Sequence, residues 1–202
     1  MTRFGVLISG GGSNLQAIID SIADGCLNAE VSIVISSRSD AYGLVRAASV
    51  GIQTMSLSRE VYQQAPYSAD ELIVQALKRA ETDYVVMAGY MRKVTPLLLQ
   101  AFPNRVINLH PALLPSFPGA HGIEDAFAHG VKVTGVTVHF ANAEYDEGPI
   151  IAQRVVEIHE DDTLDSLSER IHTVEHQLLP HVLNLLVEGR VALTENGKVR
   201  IL

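Results

Sequence analysis

Residues 4–25 read F-G-V-L-I-S-G-G-G-S-N-L-Q-A-I-I-D-S-I-A-D-G. The opening F-G-V-L-I suits a strand buried on both faces. Leu15, Ile18, Ile19 and Ile22 then recur at helical spacing up to Gly25. Ser9-Gly10-Gly11-Gly12-Ser13-Asn14 lies between them, so the order is strand, glycine-rich turn, helix. The chain repeats that order. Strands are predicted over 31–36, 52–57, 84–88 and 105–109, and helices over 41–50, 70–79 and 96–101. Residues 58–69, with Pro66, are polar and irregular. This alternation predicts an α/β fold with a mostly parallel twisted sheet and helices on both faces.

Beyond Pro111 the pattern changes. Pro111, Pro115, Pro118 and Gly119 mark a long rigid loop. A helix is expected over 121–129, ended by Gly130. Residues 133–140 alternate, with Val136 and Val138 opposite Thr137 and His139, which predicts a half-exposed, antiparallel strand. A strand over 150–158 follows, then a helix capped by Asp162-Thr163 and running to about Glu188. Residues 191–194 and 198–201 flank Glu195-Asn196-Gly197, a hairpin signal. The C-terminal part thus carries antiparallel additions. We expect one domain over 1–202, with halves 1–105 and 106–202.

The net charge of −8 argues against a broad nucleic-acid or anionic-membrane surface. Trp is absent, so stacking platforms for single strands are not expected. Cys26 is the only cysteine, which points to a reducing cytoplasm. The first strand begins by Arg3, so no leader peptide is expected. No apolar run is long enough for a membrane span.

Gly10 and Gly12 suit positive φ or close backbone approach, and Ser13-Asn14 suits a helix cap. Freed N–H groups at a helix start form an anion cradle, best matched by phosphate. The alternative is a tight turn with no ligand. A dinucleotide fingerprint is excluded, because Leu15 replaces its third glycine and the second strand ends Ser36-Ser37-Arg38. No Lys follows as in a P-loop. Arg38, Arg46 and the run Glu160-Asp161-Asp162 read as solvated faces or helix caps.

Residues 106–119 read V-I-N-L-H-P-A-L-L-P-S-F-P-G. Asn108 and His110, two apart on a strand, project to one face at its carboxyl end, where such sheets bind ligands. An amide can donate to an oxyanion, and a protonated imidazole can donate and then deliver a proton. Asp146, in E-Y-D-E-G-P-I, can keep that imidazole charged. The alternative is ordinary packing, since Asn-x-His by itself is unspecific.

N-L-H-P-A-L-L-P-S-F-P-G, the following H-G and D-E-G-P-I together resemble the formyltetrahydrofolate-dependent formyltransferases. The S-G-x-G-S-N turn narrows the resemblance to the branch that formylates phosphoribosylglycinamide. A-G-Y-M-R at 88–92 and E-H at 175–176 extend it over nearly the whole chain. The resemblance implies formyl transfer from 10-formyltetrahydrofolate to the acceptor amine in purine (IMP) synthesis, within a Rossmann-like fold. It implies that Asn108 and His110 stabilise the oxyanion, that His110 donates the proton and that Asp146 raises the pKa of His110. Gly11, Gly12, Ser13 and Asn14 would grip the phosphate, and Glu175 the sugar or glycine end. Met91, Arg92, Lys93, Val94, Asn108 and Glu144 would line the folate site. Residues 1–105 would then be the phosphate-binding half and 106–202 the catalytic and folate-binding half. No metal is implied, and the expected partners are the two small molecules; a homodimer stays open. One departure stands out. Relatives can carry an Arg in the loop before the 70–79 helix, whereas here 62–67 read Y-Q-Q-A-P-Y and the nearest is Arg59. Arg92 and Lys93 are the substitutes at hand.

His172-Thr173-Val174-Glu175-His176 matches the inverted zinc-hydrolase pattern H-x-x-E-H, but no third ligand follows. His121 either orders the site or starts a helix, and His139 faces His110 or solvent. His129, His159 and His181 read as surface residues. Other formyl acceptors, water included, remain alternatives to the glycinamide ribotide, as does a non-catalytic ribotide or folate sensor.

Overall fold

A computed structural model describes residues 1–64 and 68–202. The chain runs β1 (Thr2–Ile8), α1 (Ser13–Ala23), β2 (Ala29–Ser36), α2 (Tyr42–Ser49), β3 (Thr54–Ser56), α3 (Arg59–Gln64), α4 (Ser68–Arg79), β4 (Tyr84–Met87), α5 (Pro96–Ala101) and β5 (Val106–His110). It continues with α6 (Gly122–His129), β6 (Val133–Phe140), β7 (Ile150–Glu157), α7 (Leu164–Val187), β8 (Val191–Leu193) and β9 (Val199–Ile201). Seven strands pair in the order β3-β2-β1-β4-β5-β6-β7, and β8 pairs with β9. β1 pairs in parallel with β2 and β4, and β2 with β3. β6–β7 and β8–β9 are antiparallel. The mostly parallel sheet and its antiparallel additions are as predicted. By contacts the chain forms two compact units, Met1–Ile107 and Asn108–Leu202.

In the first unit, Phe4, Val6, Leu7 and Ile8 of β1 are fully buried and meet Leu15, Ile18 and Ile33 as core. That burial is why the opening run is continuous rather than alternating. The start of α1 differs from expectation. Its N-cap is Gly12, with φ 71°, and no side chain caps it. Gly10 has neither a positive φ nor a close neighbour, whereas a Cβ on Gly12 would lie 2.6 Å from Gly43 Cα. β3 is shorter than predicted, because the Ile52 N–H closes α2 on the Ala47 carbonyl. Part of the segment expected to be irregular is the short helix α3. Residues 68–69 of that segment open α4, and 65–67 lie outside the described residues.

In the second unit, α7 packs on β6 and β7. Its first turn holds a reciprocal cap, Thr163 with Ser166. Arg170 forks onto Asp162 at 2.8 and 2.7 Å, which holds the Asp162 carboxyl well below its usual range. β6 is not half-exposed. Thr137 and His139 are as buried as Val136 and Val138. The reason is internal pairing: Thr137 Oγ1 donates to the Ala112 carbonyl and accepts from Leu114 N–H and Gln153 Nε2. These bonds anchor the proline loop to both strands of the hairpin.

Candidate active site

β5 ends on His110, one residue later than predicted, so Asn108 and His110 both sit within its last turn of pleat. Both reach Asp146, which returns on the loop between β6 and β7. Asn108 Nδ2 donates to Asp146 Oδ1 at 3.3 Å, and His110 Nδ1 lies 3.5 Å from Oδ2. Gly119 N–H donates to that second oxygen at 2.8 Å. Asp146 takes a left-handed backbone, φ 58°, to aim its carboxylate inward. Behind it a Cβ on Gly148 would lie 1.7 Å from the Phe140 carbonyl, so only glycine lets the loop turn there. The carboxylate and both imidazoles of the cluster are buried.

His139 is the member that sequence left undecided; it faces the cluster and not solvent. Its Nδ1 lies 3.0 Å from the Phe140 carbonyl, which requires hydrogen on Nδ1. Burial pushes its pKa down, and His110 adds to that; the Phe140 carbonyl and Asp146 oppose it. A neutral ring with hydrogen on Nδ1 leaves Nε2 as an acceptor, and Asn108 Nδ2 donates to it at 3.0 Å. Both amide hydrogens of Asn108 thus rest on protein acceptors. Service to an oxyanion requires exchanging one of them. His110 Nε2 faces the Phe117 carbonyl at 2.8 Å, so both of its ring nitrogens face acceptors. The signals that point to His139, Phe117 and Gly119 are long-range returns of loop and strand, which no local pattern marks.

In the first unit the glycine turn follows β1 directly. Gly11 and Ser13 are exposed, and Asn14 is buried on α1. Arg46, half-exposed in the last turn of α2, donates from Nε to the Gly11 carbonyl at 2.8 Å. Ser9 Oγ accepts from Met91 N–H at 2.8 Å and lies 2.6 Å from Ser37 Oγ. Met91, Arg92 and Lys93 are exposed and Val94 is buried. Arg92 lies over the Tyr62 ring at 4.7 Å, and Tyr62 pairs with the buried Tyr90 hydroxyl at 2.9 Å. Burial pushes both phenols up. Asp70 fixes the segment from behind by accepting Thr95 N–H at 2.7 Å.

Glu175 is buried on α7 and Glu144 is exposed in the β6–β7 loop. His172 and His176 stack with ring centres 6.5 Å apart. Among the described residues no three His, Cys, Asp or Glu side chains group as metal ligands. His121 is the N-cap of α6; His129, His159 and His181 are exposed. No described helix is long and apolar enough to cross a membrane.

A half-buried amide beside a buried imidazole and a buried carboxylate is a donor set suited to acyl transfer. The formyl transferase family model matches residues 2–183, and the chain belongs to that family. It is 41% identical over 197 residues to the trifunctional purine biosynthetic protein adenosine-3 of Homo sapiens, an alignment covering 98% of this chain. The chain spans 19% of that longer protein's length. It is 37% identical over 187 residues to the phosphoribosylglycinamide formyltransferase of Bacillus subtilis, covering 93% of this chain and 95% of that protein. The crystal structure of glycinamide ribonucleotide transformylase 1 from Symbiobacterium toebii superposes with a TM-score of 0.96 at 46% identity. That match covers 100% of this chain and 94% of the other.

Proposed function

We propose that this chain transfers the formyl group of 10-formyltetrahydrofolate to the amine of N1-(5-phosphoribosyl)glycinamide in purine synthesis. The observation that carries this is the convergence of Asn108 and His110 on the buried Asp146, in a chain similar over most of its length to a phosphoribosylglycinamide formyltransferase. The acceptor amine attacks the formyl carbon and a C–N bond forms. The carbonyl electron pair moves to oxygen, then returns as the bond to folate nitrogen breaks. One proton passes overall from the amine to that nitrogen.

Asn108 meets the developing oxyanion by giving up its longer bond, the one to Asp146. His110 supplies the proton, and Asp146 orients the ring and balances its charge. One donor of this kind is typically worth on the order of 10²–10³ in kcat. Gly11, Gly12, Ser13 and Asn14 grip the acceptor's phosphate, and Glu175 its sugar or glycine end. Residues 91–94 and Glu144 serve the folate, with Arg92 on Tyr62 taking the place of an Arg before α4. On this assignment residues 1–105 carry the phosphate grip and 106–202 the chemistry, in one domain.

The deciding assay offers 10-formyltetrahydrofolate with each acceptor in turn and follows folate release. Turnover with phosphoribosylglycinamide alone supports the proposal; turnover with water or another acceptor reassigns the substrate, and none with any acceptor favours a sensor. Cytoplasmic residence and a homodimer belong to the same proposal. β7 is the last strand of the sheet and exposes Val155. Light scattering that gives a monomer at micromolar concentration rejects the dimer.

A further inference from the structure

The carbonyls of the glycine turn are each tied down. Gly10 O accepts from Gly43 N–H at 3.1 Å, Gly11 O from Arg46 Nε at 2.8 Å and Gly12 O from Gln16 N–H at 2.9 Å. The first two donors belong to α2. In a trans peptide the N–H points opposite to the C=O. Fixing the carbonyls of residues 10–12 therefore fixes the N–H groups of Gly11, Gly12 and Ser13 on the other side.

We infer that Arg46 is a positioning residue for this turn: it clamps the Gly11 carbonyl so that the Gly12 N–H is presented to the acceptor's phosphate, a role that rests on the phosphate grip proposed above. The guanidinium is itself held in place. It lies 4.9 Å over the Tyr42 ring, and its Nη1 donates to Gln16 Oε1 at 3.0 Å. The reach is set by a pair of glycines. A Cβ on Gly43 would lie 2.5 Å from Ile8 Cδ1 and 3.3 Å from Gly12 Cα. With no Cβ on either residue, α2 approaches closely enough for Arg46 Nε to meet the turn. A lysine ammonium carries the charge but lacks the planar N–H that fits this carbonyl.

The test compares phosphoribosylglycinamide with its dephosphorylated counterpart in wild type, Arg46→Ala and Arg46→Lys. Arg46→Ala should raise KM for the phosphorylated acceptor about tenfold, the scale of one charge-assisted hydrogen bond. Its kcat should hold, since the bond serves ground and transition states alike. Its kcat/KM for the dephosphorylated acceptor should match wild type, and inhibition by inorganic phosphate should weaken in parallel. Arg46→Lys should behave like Arg46→Ala. Wild-type KM in Arg46→Ala, full rescue by Lys, or an equal loss with both acceptors would each overturn the clamp. A wild-type enzyme indifferent to the acceptor's phosphate would instead overturn the phosphate grip itself.

Discussion

Asp146 takes donors on both of its oxygens, Gly119 N–H on one and Asn108 Nδ2 on the other. An amide cannot accept on both sides, so Asp146→Asn must turn an NH₂ toward one of these donors. We expect kcat to fall on the order of 10²–10³ while the circular dichroism spectrum is kept; near-wild-type kcat would remove Asp146 from the mechanism. His139 makes a separate statement through pH. Its folded pKa lies below the ordinary 6.5, so the unfolded chain binds the extra proton first as pH falls. Its contribution to stability is full above that ordinary value and is lost as pH drops from it toward the folded pKa. Urea midpoints measured from pH 8 downward should show that loss, and His139→Gln should flatten it. Asn108, His110 and Asp146 were legible in sequence as one candidate site only through the family resemblance, since Asn-x-His by itself is unspecific. His139 was not, because a buried imidazole on an alternating strand looks like a solvent-facing one until its partners are known.

At the scale of elements, glycines separate by what arrives against them. Gly12→Ala would strain a left-handed backbone and strike the Gly43 backbone; the strain alone costs about 1–2 kcal/mol. Gly10→Ala meets nothing within 4 Å and should leave the urea midpoint nearly unchanged. Equal losses in the two variants would contradict this assignment. The sequence marks both residues as glycine and cannot rank them, since the discriminating neighbour is α2, some thirty residues on. Helices α1, α4 and α7 announce themselves by periodic apolar residues that the core then buries, Leu15 and Ile18 or Leu167 and Ile171 among them. α3 carries no such stripe, so its segment reads as irregular. β6 misled for the opposite reason: Thr137 and His139 are polar yet satisfied internally, so alternation did not mean exposure.

For the whole molecule, the alternating pattern of strands and helices was sufficient to predict a parallel sheet, because each βαβ step is a local signal. The candidate cluster depends instead on two distant returns, the proline loop at Phe117 and Gly119 and the β6–β7 loop at Asp146. Only the resemblance to a family joined them beforehand. The H-x-x-E-H stretch on α7 gives a clean check on the competing chemistry. We expect purified enzyme to carry no stoichiometric zinc by elemental analysis and to keep its turnover after chelator dialysis. Metal-dependent activity would relocate the reaction to α7.

The Ser9 hydroxyl, which receives Met91 N–H, gives the segment proposed for folate an internal clock. Met91 is 63% exposed, yet its amide is tied to a buried residue that follows β1 directly. That amide should exchange with deuterated solvent far more slowly than the amides of Arg92 and Lys93 beside it, and Ser9→Ala should speed it without disturbing the exchange of β1. A single slow proton in an open segment would then report, without any assay of turnover, when this strip lets go of the sheet.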